Sequence, residues 1–385
     1  MAELKERGNA FFKEGKMQEA IEAYTQALAE SKGTENEAPI SSNLSLASFK
    51  IGKMEAALSH AEHCLSLRPT WSKAHHRKAE ALFELESFED ARSAYITAKD
   101  LEPSNRDLAL AIAACDEALK GGPLFKQLLP GREIALPGSA QGQMRMIHEA
   151  AVKMQNFIYL VGDARTRRCF VIDACWDTDG IVAYARRHKI KIVGSIATHY
   201  HFDHTGGKVP AFLRAMVCGP FGAEPIVPGL ADMKKDHGVP VYSHKCEVER
   251  IAEQCSLAAH EIEPLSQGQI IEVSSEWCLK VFHTPGHSGG SVCLMLQTSD
   301  DVAHLLCTGD TIFPGSCGRL DLPDSDCKAM FQSLDLLRKL PDMLEVYPGH
   351  AYGGEKTTIA KEKVAGLLQP FTWEQWVQRM GLNDD

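Results

Sequence analysis

The segment IVGSIATHYHFDHTGG, residues 192–207, places four side chains that commonly bind metals directly after an apolar run. These side chains are His199, His201, Asp203 and His204. Side chains alternate along an extended segment, so His199, His201 and Asp203 fall on one side and His204 follows on the turn. Imidazole nitrogen and carboxylate oxygen suit zinc, iron or manganese. The segment therefore predicts a strand that ends in a metal site.

Three further segments combine an apolar strand pattern with a short turn that carries one metal-binding side chain. They are CLKVFHTPGHSGG (278–290), LLCTGDTIF (305–313) and LEVYPGH (344–350), which supply His287, Asp310 and His350. Strand ends that a sheet brings side by side can converge such side chains on one point. Helical patterns between the apolar segments indicate an α/β domain in which helices cover packed sheets.

The combined pattern resembles the metallo-β-lactamase fold, an αββα sandwich, over residues 145–370. The resemblance implies two divalent metal ions, with zinc foremost and iron or manganese as alternatives. It assigns His199, His201 and His287 to one ion, Asp203, His204 and His350 to the second, and Asp310 to both. Two such ions can share a hydroxide that attacks a carbonyl group. Asp203, which can orient the hydroxide, and the bridging Asp310 are therefore the predicted catalytic residues.

The loop TGDTIFPGSCGRLDL, residues 308–322, is similar to the glyoxalase II branch of this fold. In that branch a Cys-Gly-Lys/Arg element sets a cation against the glutathione part of the substrate, and Arg319 stands at that position. The resemblance implies hydrolysis of a thioester, an acylglutathione such as S-lactoylglutathione. Leu320 and Asp321 stand where eukaryotic enzymes carry an aromatic residue, a form closer to the shorter bacterial enzymes.

Two other functions fit parts of the same pattern. Persulfide dioxygenases share these elements and hold one iron, for which His199, His287 and Asp310 are the candidates here. A chaperone-binding adaptor would use its second domain only to recognise a ligand. Metal content and oxygen uptake on glutathione persulfide distinguish the dioxygenase from the hydrolase. The complete set of candidate ligands favours an enzyme over the adaptor.

The first part of the chain repeats a helical register. Gly15, Ala20, Tyr24 and Ala27 recur as Gly52, Ala57, Ala61 and Cys64, and again as Glu86, Ala91, Tyr95 and Ala98. Three helix–turn–helix units fit, near residues 2–31, 38–70 and 72–104, with a covering helix at about 105–119. Residues 1–104 thereby resemble the tetratricopeptide repeat. An all-α superhelix is expected ahead of the α/β domain.

Five polar residues, Lys5, Asn9, Asn43, Lys73 and Arg77, converge on the groove that stacked repeats form. Cations and amides of this kind can bind carboxylates through charge-assisted hydrogen bonds. The set resembles the two-carboxylate clamp of co-chaperones, which hold the Glu-Glu-Val-Asp C-terminus of heat-shock chaperones. The resemblance predicts that this domain captures the C-terminal peptide of a chaperone.

Composition and charge limit the number of domains and the classes of partner and compartment. The 385 residues suggest two domains, predicted at 1–120 and 145–385, with a Gly- and Pro-rich linker at 121–144. The formal net charge of −10 disfavours nucleic acid as a partner. Twelve cysteines without C-x-x-C spacing indicate reduced thiols, and no apolar stretch is long enough to cross a membrane. Because no leader pattern is present either, a cytoplasmic location is expected.

Overall fold

The structure is a computed structural model that describes residues 2–134, 141–214, 217 and 225–381. The chain divides into two compact units. The first comprises Met1–Gly121 together with Arg187–Lys189, and the second comprises the rest. Within the described residues, no helix is sufficiently long and apolar to span a membrane.

Up to Gly121, the regular structure of the first unit is helical. The helices are α1 (Ala2–Lys13), α2 (Met17–Glu30), α3 (Glu37–Lys50), α4 (Met54–Leu67), α5 (Ser72–Glu84), α6 (Phe88–Leu101) and α7 (Arg106–Lys120). Each helix packs against the next one along the chain. This arrangement confirms the predicted series of three helix pairs followed by a further helix.

The recurring small residues lie where these helices meet. Ala20, Ala57 and Ala91 are fully buried. A Cβ atom at Gly8 on α1 would lie only 2.6 Å from the ring of Tyr24 on α2. The pair of helices can therefore approach as closely as it does only because position 8 has no side chain. Close helix packing is the physical reason for the repeated register.

Two six-stranded sheets and one two-stranded sheet form the framework of the second unit. In spatial order, the first large sheet contains β1 (Pro123–Leu128), β2 (Ile158–Asp163), β3 (Arg168–Ile172), β4 (Lys191–Ile196), β7 (Val241–His244) and β8 (Ile262–Leu265). The second contains β14 (Thr357–Thr358), β13 (Glu345–Pro348), β12 (Ala303–Gly309), β11 (Val292–Thr298), β10 (Trp277–His283) and β9 (Ile270–Glu272). The short sheet pairs β5 (Gly207–Lys208) with β6 (Ile226–Val227).

The predicted linker at 121–144 is wrong for part of its length. Its residues 123–128 form β1, which pairs antiparallel with β2 at the edge of the first sheet. Leu124 and Leu128 are buried there, so the hydrophobic effect fixes the strand to the domain. The many Gly and Pro residues of the segment conceal this short strand in the sequence. Residues 135–140 lie outside the described part of the chain.

The described residues of the second unit also form α-helices. They are α8 (Gly142–Met154), α9 (Thr178–Arg187), α10 (Phe202–Thr205), α11 (Leu230–Lys235), α12 (Val248–Cys255), α13 (Cys327–Arg338), α14 (Ile359–Ala365) and α15 (Trp373–Met380). Apolar residues of α9, α11 and α12 pack on the first sheet, and those of α13, α14 and α15 pack on the second. A third apolar core fills the space between the two sheets. The predicted αββα sandwich is confirmed.

The strands of both sheets deliver the candidate ligands to one region. Strands β12 and β13 run parallel, and Gly309 pairs with Pro348. Asp310 and His350 therefore follow adjacent strand ends. The strand β4 leads into residues 197–204, and β10 leads into the turn that carries His287. Sheet register thus accounts for the convergence of residues that are far apart in the sequence.

Candidate metal centre

Three histidines form the first group of the centre. Nδ1 of His201 lies 3.0 Å from Nε2 of His199 and 2.9 Å from Nε2 of His287. His199 and His287 are buried, and His201 is partly exposed. Three imidazole nitrogens in this arrangement could hold one transition-metal ion.

A second group contains Asp203, His204 and His350, all buried. Nε2 of His204 lies 3.2 Å from Nε2 of His350. Oδ2 of Asp203 lies 3.4 Å from Nε2 of His350 and 3.6 Å from Nε2 of His204. Two imidazoles and one carboxylate form a second donor set of the same chemical type.

Asp310 lies between the two groups. Its Oδ1 is 3.4 Å from Nε2 of His204, and its Oδ2 is 3.4 Å from Nε2 of His287. Oδ1 is buried and has no hydrogen-bond partner among the described residues. A Cβ atom at Gly349 would lie 2.3 Å from this oxygen, so glycine is needed beside it. A buried carboxylate oxygen without a donor fits a bound cation, because burial of an unpaired anion is otherwise costly.

Hydrogen bonds on the far side of the rings fix how the histidines face the centre. Nδ1 of His287 donates to the backbone oxygen of Arg319 at 2.9 Å, and Nδ1 of His350 donates to that of Met154 at 2.7 Å. Nδ1 of His204 lies 2.8 Å from Oδ2 of Asp173. A proton on Nδ1 leaves the lone pair on Nε2, which is the nitrogen that faces the other ligands.

Two residues that form hydrogen bonds with the candidate ligands were not predicted from the sequence. Asp173 is 2% exposed and also accepts hydrogen bonds from the backbone nitrogen and the hydroxyl of Thr198. Nδ2 of Asn156 donates to Oδ2 of Asp203 at 3.0 Å, while Oδ1 of Asn156 accepts from Trp176. Asp173 directly follows an apolar strand, as the candidate ligand Asp310 does, and this pattern could have identified it. Nothing in the local sequence marks Asn156.

The electrostatics of the centre favour a cation. Burial alone would raise the pKa values of Asp203 and Asp310, but the surrounding histidines lower both. Burial, assisted by His287, lowers the pKa of His201 to about 4. Burial would also lower the pKa of His204, yet Asp310 and Asp173 raise it to about 9. The carboxylates of the centre therefore favour positive charge beside them.

Arg319 does not reach the centre through its side chain. Its guanidinium is exposed and pairs with Asp321 through two hydrogen bonds of 2.8 Å. The backbone of Arg319, in contrast, accepts the hydrogen bond from His287. Arg319, predicted to bind the substrate, is thus linked to the centre by its backbone, and its guanidinium is already paired with Asp321.

In the helical unit, the structure brings two of the predicted clamp residues into contact. Nδ2 of Asn43 lies 3.3 Å from Oδ1 of Asn9, which also accepts from the hydroxyl of Tyr24. Both asparagines line a cavity of about 200 Å³, together with Glu6, Phe12, Lys13, Tyr24 and Leu46. Nζ of Lys5 donates to Asn36 at 3.4 Å. The cavity supplies apolar walls that the polar pattern did not indicate.

The other two clamp residues are cations on α5. Burial lowers the pKa of Arg77, and burial together with Arg77 lowers the pKa of Lys73. Nε of Arg77 is buried without a hydrogen-bond partner in the described part of the chain. Two partly desolvated cations in this state favour an anionic ligand.

Comparison with known proteins identifies the family of the second unit. The sequence model of the metallo-beta-lactamase superfamily matches residues 152–224 and 227–350. The chain belongs to the metallo-beta-lactamase superfamily. A tetratricopeptide repeat model matches residues 6–32. Both predicted families are therefore confirmed, and the superfamily implies divalent metal ions at the centre.

Among the relatives of this superfamily member are hydrolases. The hydroxyacylglutathione hydrolase of Rhodospirillum rubrum is 31% identical over 216 residues, which cover 56% of this chain and 69% of the relative. That of Pelagibacter ubique is 26% identical over 197 residues, or 51% of this chain and 67% of the relative. The helical unit is similar to the first tetratricopeptide domain of Spaghetti (RPAP3), a structure solved with an HSP90 peptide. The two are 31% identical with a TM-score of 0.29, and the match covers 30% of this chain and 90% of that chain.

Proposed function

We propose that the second unit hydrolyses thioesters, with acylglutathiones such as S-lactoylglutathione as the substrate class, by means of two divalent metal ions. The donors are imidazoles and carboxylates, which suit zinc as the first candidate and iron or manganese as alternatives. The observation that carries the proposal is the unpartnered Oδ1 of Asp310 between two complete donor groups. The similarity to hydroxyacylglutathione hydrolases supports the substrate class.

When bound, the ions supply Lewis acidity and make water a nucleophile at neutral pH. The residues of the chain provide orientation. Asn156 holds Oδ2 of Asp203, which leaves Oδ1 of Asp203 to accept a hydrogen bond from the attacking water. Water adds to the thioester carbonyl and passes one proton to the carboxylate of Asp203. The C–S bond then breaks, the leaving sulfur takes up the proton from Asp203, and the acid product keeps the second proton of the water. The hydrogen bonds to the far side of the histidine rings keep these groups in place while charge develops on the carbonyl oxygen.

Arg319 is the proposed contact for a substrate carboxylate. Its guanidinium can form two parallel hydrogen bonds to a carboxylate, as it does here with Asp321. A glutathione carboxylate would therefore have to replace Asp321. The backbone link from Arg319 to His287 keeps this cation near the site of cleavage.

A panel of acyl thioesters, assayed on a protein sample whose metal content is measured, tests the hydrolase. We expect two ions per chain and release of free thiol from acylglutathiones. Absence of thiol release by the fully metal-loaded protein would reject the function. One iron per chain with oxygen uptake on glutathione persulfide would instead identify a dioxygenase.

For the helical unit we propose capture of an acidic peptide C-terminus of the Glu-Glu-Val-Asp type. The buried and unpartnered Nε of Arg77 carries this proposal. Lys73 adds a second cation, and the Asn9–Asn43 pair adds amide donors beside the cavity. Two carboxylates at the end of a peptide match these groups in charge and hydrogen bonding.

Calorimetry with a Glu-Glu-Val-Asp peptide tests the groove. The same peptide with an amidated C-terminus is the matched control, because amidation removes one of the two terminal carboxylates. We expect binding of the free acid only. Equal binding of the two peptides would reject recognition of the terminus.

The cysteines bear on the compartment. In the part of the chain that the structure describes, no cysteine forms a disulfide bond. Free thiols persist in a reducing compartment, which supports the proposal of a cytoplasmic protein.

A further inference from the structure

A second group of metal-binding side chains lies outside the centre described above. His244 ends β7, Cys246 follows it by two residues, and His283 ends β10. One potential ligand atom from each lies within 4.8 Å of those of the other two. None of the three belongs to the seven residues of the metal centre, and the proposed hydrolysis does not use them.

The chemistry of this group differs from that of the centre. It combines a thiol with two imidazoles, whereas the centre has only imidazoles and carboxylates. Thiolate and imidazole together suit zinc and other ions that favour sulfur. Cys246 is exposed, so an ion can enter from solvent and water can fill the fourth position.

We propose that His244, Cys246 and His283 form a separate metal site, which takes a single zinc ion or a similar thiolate-binding ion. Strand β7 belongs to the first large sheet and β10 to the second. Each of these strands lies one strand in from the edge of its sheet, so an ion held here joins the two sheets. This site does not depend on the proposed hydrolase activity.

Binding requires one local change. The rings of His244 and His283 are stacked, with centroids 3.8 Å apart and planes inclined by 13°. A metal ion lies in the plane of each imidazole that binds it, so nearly parallel rings cannot share an ion until one turns. His244 is buried, while His283 is partly exposed and has room to move. Turning His283 gives up its hydrogen bond from Nε2 to the backbone oxygen of Gly289, an exposed position that water can satisfy.

Cobalt(II) gives a direct test, because a cobalt–thiolate bond produces a charge-transfer absorption band that imidazole and carboxylate ligands do not produce. The full chain would be loaded with cobalt and titrated to saturation. We expect the thiolate band in the wild type, and one more cobalt ion per chain than in Cys246→Ser. The band should be absent in Cys246→Ser and in His283→Gln.

Two controls make the result specific. Cys327→Ser removes a different thiol, which is partly exposed, and this variant should keep the band. Asp310→Asn alters the main centre and should also keep the band, which separates this site from the hydrolase. The proposal is overturned if the wild type has no thiolate band, or if the band survives in Cys246→Ser or in His283→Gln.

Discussion

Asp173 Oδ2 lies 2.8 Å from Nδ1 of His204, and both side chains are buried. The same carboxylate accepts hydrogen bonds from the backbone nitrogen and the hydroxyl of Thr198. Thr198 immediately precedes His199. The carboxylate of Asp173 therefore holds both the backbone just before His199 and the ring of His204. An outer partner of this kind fixes the tautomer of a ligating histidine and raises its basicity.

Asp173→Asn should lower metal affinity and hydrolysis about 10- to 100-fold, which is the usual effect of losing such a partner. The backbone at Asp173 has a φ of 56°, and asparagine tolerates this conformation well. A competition titration with a chromophoric chelator measures the affinity.

The matched control for this variant is Asp163→Asn. Asp163 is 1% exposed and likewise accepts from one backbone nitrogen and one threonine hydroxyl, at 2.8 Å each. Its donors are Arg165 and Thr166, neither of which is a candidate ligand, so the replacement of Asp163 should leave metal affinity unchanged. Equal losses in the two variants would assign the effect to general destabilisation.

Asp310→Asn should lose metal and activity together, because the carboxylate of Asp310 lies between the two donor groups. The loss of activity should exceed the roughly 100-fold expected for an outer partner. Elemental analysis of the purified variant gives the number of ions per chain. Full metal stoichiometry in Asp310→Asn would show that Asp310 does not bridge.

Arg319→Ala should raise KM about 10-fold with little change in kcat, if the guanidinium binds a remote carboxylate equally before and during reaction. The companion variant Asp321→Asn removes the competing anion and should lower KM. Steady-state kinetics on an acylglutathione measures both constants. An unchanged KM in Arg319→Ala would remove this residue from the substrate site.

Lys73→Ala should weaken peptide binding at least about 10-fold, because a charge-assisted hydrogen bond to a carboxylate is lost. Lys78→Ala is the matched control on the same helix, since Lys78 pairs with Glu62 at 3.0 Å. Calorimetry should show wild-type affinity for the control. Thioester hydrolysis should be unaffected in both variants, and a loss of peptide binding in Lys78→Ala as well would indicate a nonspecific charge effect.

The residues with the strongest local patterns were the ones that sequence analysis could locate. His199, His201, Asp203 and His204 follow one apolar strand, and His287, Asp310 and His350 each end a similar one. The alanines and tyrosines of the helical repeats could be located for a comparable reason. Side-chain size at helix contacts is constrained locally, so it recurs with the repeat.

Other features depended on partners that are distant in the sequence. The strand β1 forms because β2 offers it an edge, although its own segment has the composition of a linker. Asn156 faces Asp203 only after α8 and β4 are in place. The pairing of Arg319 with Asp321 and the stacking of His244 on His283 likewise appear only in three dimensions.

The sequence by itself determined the two architectures and the identity of the candidate ligands, because hydrophobic periodicity and strand-end side chains are local properties of the chain. Only the tertiary structure decided which atoms meet: Oδ1 of Asp310 left without a donor, Nε of Arg77 buried without a partner, and a thiol beside two imidazoles. Distances between side chains on different strands follow from sheet register and packing. Neither can be read from a short stretch of sequence.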